Sequence, residues 1–363
     1  MKPLLERRDD LSPSWLSSVL RGAGLDVDVV DLEIQPIGTG QVGTSLRLTP
    51  TYAAGRGAGP ETLVAKLAAG DLAARRRVVD AFRKEVGFYA QLAHTLDVRV
   101  PRCWYSAISE DGTAFTLILE DIFASRPGVQ VEGCSPDQAR AAVRNLAALH
   151  APRWNDATLF DLEFVRVADT TTASFLGDIL RSATEQFIER FDSLDGETSE
   201  TLRRCAHAIG PWVLARPTPF AVTHGDYRLD NLMFPRTGSD VVALDWQTVN
   251  VGPPARDLSY FLGTGLTTAR RRSHEESLVG HYHAELEARG VSGYTADQCF
   301  EDYRLGQLQG PMITVLGAIY AATAQRSQEG DDMFCSMAER SCRAILDLGS
   351  LALLESQEVP ETS

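Results

Sequence analysis

Lysine is scarce in this chain of 363 residues: Lys2, Lys66 and Lys84 are its three lysines among 35 basic side chains, and the other 32 are arginines. Bases are also outnumbered as a class, 35 against 49 acids, for a formal charge of −14. That balance excludes a general nucleic-acid binder, which carries a basic footprint, but leaves room for a small anionic ligand held by a few local donors. The six cysteines (Cys103, Cys134, Cys205, Cys299, Cys335 and Cys342) form no C-x-x-C and no metal-type spacing. In a chain this large, that usage predicts idle thiols in a reducing, cytoplasmic compartment. Long apolar runs are missing too, since the longest weakly polar stretch, 311–324, falls short of the roughly 18 residues of a spanning helix. The N-terminus turns charged before a signal-peptide core could form. Repeats and low-complexity segments are absent.

What is present fits two domains or one large bilobal one at this length, with an ordinary 44% apolar and 23% charged composition. A helix signal at Ser12–Leu20 is followed by strand patterns at Leu32–Ile34, Ser45–Leu48 and Thr62–Leu67, then a helix over about 71–96. Strands near Trp104–Ile108 and Phe115–Glu120 flank the turn former Ser109-Glu110-Asp111-Gly112. After Asp121 the pattern becomes helical. Ser135-Pro136-Asp137-Gln138 opens a helix to His150 with a capping box and a proline at its first position. Further helices are expected near 174–192, 196–215, 257–264, 273–289, 297–325 and 331–355, interrupted by a hairpin at 231–245. The expected fold class is therefore α+β, with a small antiparallel-sheet lobe over 1–121 and a larger helical lobe over 122–363.

Gly38-Thr39-Gly40-Gln41-Val42-Gly43 fits G-x-G-x-x-G. A strand, not a helix, follows, so the glycines belong at the tip of a hairpin, the arrangement kinases use over phosphates, and not in a dinucleotide turn. Lys66 shares one face of its strand with Val64, opposite Leu63, Ala65 and Leu67. It is either an edge lysine reaching solvent or a compact cation for phosphate, and its apolar strand in an arginine-rich chain favours the second. Glu85 falls inside the apolar stripe Val78, Phe82, Val86, Tyr89 and Leu92. A carboxylate there needs a cation, and Lys66 is the natural one. Arg75-Arg76-Arg77 reads as a solvated run.

The densest signal is His224-Gly225-Asp226-Tyr227-Arg228-Leu229-Asp230-Asn231, with Asp245 beyond a hairpin whose turn is Pro235–Asp240. Folding the hairpin brings its ends together, so that Asn231 and Asp245 offer a carbonyl and a carboxylate oxygen suited to Mg²⁺. Asp226, five residues before Asn231, is placed to accept a proton from a bound hydroxyl. The alternative is a set of polar turns. His150 reads as a polar cap at a helix end, and no pattern around His281 or His283 suggests a metal.

His224-Gly225-Asp226, Asn231 and Asp245 resemble the catalytic loop and metal-binding aspartate of the aminoglycoside phosphotransferase and choline kinase superfamily, small-molecule kinases related in fold to protein kinases. The resemblance takes in the glycine hairpin, Lys66, Glu85, a hinge at Leu117–Asp121 and Asp257 in Asp257-Leu258-Ser259-Tyr260-Phe261. Its wording is closest to the ecdysteroid-kinase-like branch. It implies Asp226 as catalytic base and Asn231 and Asp245 as Mg²⁺ ligands. Lys66, fixed by Glu85, would anchor ATP phosphates beside the hairpin glycines Gly38, Gly40 and Gly43. Backbone groups around Glu120 and Ile122 would meet adenine, Asp257 would brace the catalytic loop, and His224 would be structural.

The reaction expected is ATP- and Mg²⁺-dependent phosphorylation of a small-molecule hydroxyl, with no nucleic acid or membrane span involved. A pseudokinase module is the alternative from another class. A protein kinase is disfavoured because eleven residues separate Asp245 from Asp257 and neither Asp-Phe-Gly nor Ala-Pro-Glu is present. For the acceptor, 170–179 holds one acid, Asp178, and 307–324 none, against Phe175, Leu176, Met312, Ile313, Leu316, Ile319 and Tyr320. An apolar wall suits a neutral, partly hydrophobic alcohol better than a polycation, leaving an aminoglycoside as runner-up.

Overall fold

Ser12 starts the first helix: its Oγ accepts the Trp15 N–H at 3.2 Å and Pro13 occupies the first turn, giving α1 over Pro13–Gly22. The computed structural model to which this helix belongs describes residues 4–5, 7–38, 43–55, 57–236, 240–321 and 327–356. The chain divides into two compact units. One is Met1–Thr95 with Val100–Ala124 and Leu244–Thr248; the other is Leu96–Arg99 with Ser125–Ala243 and Val249–Ser363.

The first unit is built on a five-stranded antiparallel sheet. Its strands are β1 (Val29–Ile37), β2 (Gly43–Tyr52), β3 (Leu63–Ala68), β4 (Cys103–Ile108) and β5 (Phe115–Glu120), in the order β1-β2-β3-β5-β4. Alternation sends Leu46, Leu48, Leu63, Ala65 and Leu67 into one core with Leu16, Val19 and Leu20 of α1. Lys66, facing the other way, sits opposite Ser45 on β2 and Leu117 on β5. Because β3 lies between β2 and β5, Lys66 is not an edge lysine.

The single helix expected over 71–96 is broken. Asp71 caps α2 (Leu72–Arg77), which buries no side chain, and Val78 at φ −121°, ψ 16° ends it. Then α3 (Val79–Gly87) buries Phe82, Glu85 and Val86, and one π-helical turn at Phe88–Leu92 follows. The wider turn shifts the helical phase so that Phe88, Tyr89 and Leu92 are all buried.

The second unit is helical: α4 (Pro136–His150), α5 (Thr170–Arg190), α6 (Gly196–Leu214), α7 (Ala255–Gly265), α8 (Thr268–Ala288), α9 (Ala296–Gly306), α10 (Gln309–Leu316), α11 (Gln328–Leu348) and α12 (Ser350–Glu355). Its main core joins α5, α6, α10 and α11 through Leu180, Phe187, Ile209, Trp212, Val315 and Ile345. Small sheets of β6 (Ser125–Pro127), β8 (Leu232–Pro235) and β9 (Val242–Ala243), and of β7 (Ala221–Thr223) with β10 (Asn250–Gly252), flank residues 224–231.

Two expected helices are each split. The run 297–325 divides at 307–308, and Gly306 there packs where a Cβ would stand 2.4 Å from Ser259 Oγ on α7. Its last residues, 322–325, lie outside the described residues. The run 331–355 divides at Gly349, whose left-handed φ of 63° ends α11. Among the described residues no helix is long and apolar enough to cross a membrane.

Candidate active site

In the first unit the sheet and α3 bring a cation and two carboxylates together. Lys66 Nζ donates to Glu85 Oε1 at 2.6 Å and to Asp245 Oδ1 at 3.3 Å. Glu85 is 1% exposed, as its place in the apolar stripe requires, and its second oxygen accepts Gln247 Nε2 at 3.2 Å. Burial works against the Lys66 ammonium, but Glu85 and Asp245 outweigh it and hold its pKa above the ordinary lysine value. Burial likewise pushes the Glu85 carboxyl up, against the pull of Lys66.

The segment carrying Asp245 is anchored by Trp246, fully buried and stacked on Phe88 at 3.7 Å between ring centroids. Asp245 itself takes a left-handed φ of 62°, unusual for a non-glycine residue, with its side chain 44% exposed. Strain of this kind concentrates at functional positions.

Gly43 opens β2 opposite Ala68, where a Cβ would stand 3.2 Å from Leu67 O and 3.4 Å from Lys66 Cε. Gly38 closes β1 with a φ of 69° and open space around it. Gly40, with Thr39, Gln41 and Val42, lies outside the described residues. At the expected hinge, Glu120 N–H donates to Arg102 O at 2.8 Å and its carboxylate accepts Arg102 N–H at 3.0 Å. Ile122 is half-buried. Between them Asp121 is held by Arg47 through two hydrogen bonds, 2.5 and 3.2 Å, a pairing that sequence spacing does not reveal.

In the second unit α7 holds the loop that carries His224, Gly225 and Asp226. Asp257, in its first turn and 1% exposed, accepts the backbone N–H groups of His224 at 2.6 Å and Gly225 at 2.9 Å. Gly225 bends at φ 82°, a value glycine adopts without penalty. His224 is buried and its Nδ1 accepts the Asp226 N–H at 3.3 Å. A single 3₁₀ turn, Leu229–Asn231, then leads into β8.

The Asp226 carboxylate is met from three sides. Tyr260 donates its hydroxyl to Oδ1 at 2.8 Å, while Asn231 Nδ2 at 3.0 Å and Arg228 Nε at 3.3 Å donate to Oδ2. Asn231 Nδ2 also reaches Asp226 O at 2.9 Å, so both hydrogen bonds from the amide nitrogen go to Asp226. Asp230 ties Arg228 at 2.6 Å and accepts the Gln130 N–H at 3.0 Å. Burial works against the Arg228 guanidinium, but Asp226, Tyr260 and Asp230 hold its pKa above the usual arginine value.

Sequence spacing brings Asp226 and Asn231 together but misses Tyr260 and Arg228. For Tyr260 a signal exists: three residues past Asp257 on a helix, it shares that residue's face. The expectation of His150 as a cap at the helix end is overturned. It is wholly buried, with Nδ1 2.6 Å from Tyr282 Oη and Nε2 3.4 Å from Asp257 Oδ2. Burial lowers its pKa below the ordinary histidine value, so the ring is neutral at pH 7 and supports the loop from behind. Among the described residues no cluster of three or more His, Cys, Asp or Glu could cage a metal. Mg²⁺ in phosphoryl-transfer sites does not need one, since one or two protein oxygens and the substrate phosphates suffice.

Comparison with known proteins places the chain. Choline kinase from Cryptosporidium parvum Iowa II is similar over 90% of this chain and 93% of its own, at 9% identity and a TM-score of 0.56. The GDP complex of wild-type aminoglycoside 2'-phosphotransferase-IIIa is similar over 86% and 93%, at 12% identity and a TM-score of 0.50. At these identities the likeness establishes the α+β, protein-kinase-like fold. No curated protein matches the sequence. The model of the ecdysteroid kinase-like family matches residues 44–290, well over half the chain, and the chain belongs to that family of kinase-like small-molecule phosphotransferases.

Proposed function

We propose that the chain transfers the γ-phosphoryl group of ATP, with Mg²⁺, to a hydroxyl of a small molecule. The observation that carries this reading is the buried Lys66–Glu85 pair, 2.6 Å apart, with Asp245 3.3 Å from the same ammonium. A cation fixed by a buried acid and flanked by a half-exposed one suits a nucleotide triphosphate, and a scaffold has no need of it. The first unit is then the nucleotide-binding lobe. Gly38, Gly40 and Gly43 form the loop over the phosphates, Lys66 contacts them, and backbone groups around Glu120 and Ile122 meet adenine. The second unit carries the catalytic loop and the acceptor pocket.

The chemistry assigned to the chain is mainly positioning. Asp226 accepts the acceptor's hydroxyl proton as that oxygen bonds to the γ-phosphorus, and the bond from phosphorus to the bridging oxygen breaks with ADP leaving. Asn231 and Asp245 offer hard oxygen donors that would hold Mg²⁺, which neutralises phosphate charge when bound. Asp257 fixes the loop through its backbone, and His150 keeps Asp257 in place without adding charge.

For the acceptor, the first turns of α5 present Thr170, Thr171, Ser174, Phe175 and Asp178 along a shallow, open surface depression. Phe175 is 62% exposed, whereas Leu176, Met312, Leu316 and Ile319 pack against the core. One aromatic, three hydroxyls and a single acid suit a neutral, partly hydrophobic alcohol better than a polycation. A steady-state panel of steroid-type, choline-type and kanamycin-type alcohols with MgATP tests this. Turnover of the steroid-type alcohols is expected; efficient turnover of the polycations alone would overturn the acceptor class, and ATP binding with no turnover of any alcohol would favour a pseudokinase.

A further inference from the structure

Asp257 and Tyr260 lie three residues apart on α7, one turn of the same face, and both act on the catalytic loop. Asp257 takes the N–H groups of His224 and Gly225, and Tyr260 takes the next residue's side chain, with its hydroxyl 2.8 Å from Asp226 Oδ1. Tyr260 is fully buried, and its main chain is pinned in turn by Thr264 Oγ1, which donates to Tyr260 O at 2.6 Å. Burial and the neighbouring Asp226 carboxylate push the phenol far above its ordinary pKa, so the hydroxyl remains a donor.

A carboxylate has about four lone-pair sites, two on each oxygen. Among the described residues, Asp226 Oδ2 receives two donors, Asn231 and Arg228, and Oδ1 receives one, Tyr260. The remaining site is on Oδ1, beside the Tyr260 hydroxyl. We infer that Tyr260 is a positioning residue that locks the Asp226 carboxylate so that Oδ1 is the atom presented to the acceptor hydroxyl. This rests on the reading of Asp226 as the base. In the transfer, the acceptor proton goes to Oδ1, the acceptor oxygen bonds to the γ-phosphorus as the bond from phosphorus to the bridging oxygen breaks and ADP leaves, and Tyr260 keeps its own proton throughout. Without the phenol the carboxylate has two open sites on Oδ1 and can turn about its bond to Cβ, held on one edge alone.

The test is a double-mutant cycle of Asp226→Asn, Tyr260→Phe and the pair, each measured for ATP turnover with the best alcohol of the panel above and with water as acceptor. Phenylalanine keeps the buried ring and removes the hydroxyl. A hydrogen bond to a charged group corresponds to a loss of about ten- to a hundredfold. That loss is expected in kcat, with KM for ATP and the ATP-induced thermal shift unchanged. In the Asp226→Asn background Tyr260→Phe should cost less than twofold. Because the cycle is a ratio, it cancels any loss of folded protein caused by the Tyr260 change. An equal cost in both backgrounds would mean that Tyr260 acts through the fold, and wild-type kcat for Tyr260→Phe would mean that it does not act; either result overturns the inference while Asp226 keeps its role. Full turnover by Asp226→Asn would remove the base assignment itself, and this inference with it.

Discussion

At the scale of single residues, the buried pair Lys66–Glu85 and the loop acid Asp226 make separable demands. Glu85 is almost wholly enclosed and bonded to both Lys66 and Gln247. Breaking one half of such a pair strands the other, at a cost of about 3–5 kcal/mol. Glu85→Gln, read by urea denaturation, should therefore lose stability on that scale and weaken ATP binding together; an unchanged midpoint would mean that the pair is not buried in solution. Asp226→Asn leaves Arg228 paired with Asp230 and replaces a 23% exposed carboxylate with an amide of the same shape, so it should cost less stability than Glu85→Gln and leave ATP binding intact. Its expected effect is a fall in turnover of about 10²–10⁴-fold with the ATP-induced thermal shift intact. Asp245→Ala should instead abolish the Mg²⁺-dependent part of that shift, measured with and without the metal. Lys66 and Glu85 are legible in the sequence because a charge on an apolar face is costly unless an opposite charge on a neighbouring element meets it. Arg228 is not legible, because an arginine in a polar loop looks ordinary until the backbone brings it to a carboxylate; Tyr260 is legible only through its helical spacing from Asp257, which places it on that residue's face without naming the carboxylate it meets.

At the scale of elements, the signals that held are those written within a few residues. The capping box of α4 is realised in both directions, Ser135 Oγ accepting Gln138 N–H at 3.2 Å and Gln138 Oε1 accepting Ser135 N–H at 3.0 Å. The strands β2 and β3 follow their alternation, whereas β5 is buried along five consecutive residues. What failed depends on distant partners. The strands β6, β7 and β10 have three residues each, too few to show alternation, and β7 meets β10 from 27 positions away, Thr223 opposite Asn250. The breaks after α2 and α9 follow from which faces are buried, which helical periodicity alone does not reveal. The two described glycines of the hairpin differ in a way that can be measured. Gly38→Ala places a side chain at φ 69° where no described residue stands within 4 Å, so it should cost stability of about 1–2 kcal/mol and leave KM for ATP within twofold. Gly43→Ala presses on Leu67 O and Lys66 Cε, so its expected effect is a KM for ATP raised several-fold. Equal kinetic effects at the two positions would show that hairpin strain, not displacement of Lys66, governs nucleotide binding.

At the scale of the whole molecule, stability becomes a function of pH, and His150 sets its sign on the acid side. The ring is neutral and enclosed in the fold, with its pKa held below the ordinary 6.5 by burial, against the pull of Asp257. In the unfolded chain the same ring takes up a proton near 6.5, so below that value the unfolded state binds more protons than the folded one. Stability therefore falls as pH drops from about 6.5 towards the folded pKa, at up to about 1.4 kcal/mol per pH unit for one full proton. Glu85 and Asp302 act in the opposite direction. Burial raises both their carboxyl pKa values, so the folded state holds protons there more tightly and gains as pH falls through the carboxylate range. The His150 contribution lies above that range, in a window that His281, held low chiefly by burial, also enters, and the His150 variant isolates its share. Unfolding free energy measured by urea between pH 7.5 and 5.5 should decline in the wild type, and His150→Asn, which cannot titrate, should flatten the slope whatever it does to the absolute stability. A His150→Asn variant with the wild-type slope would mean that the ring is already charged in the fold. The support of Asp257, and through it of the loop that carries Asp226, would then be an ion pair and not a neutral hydrogen bond.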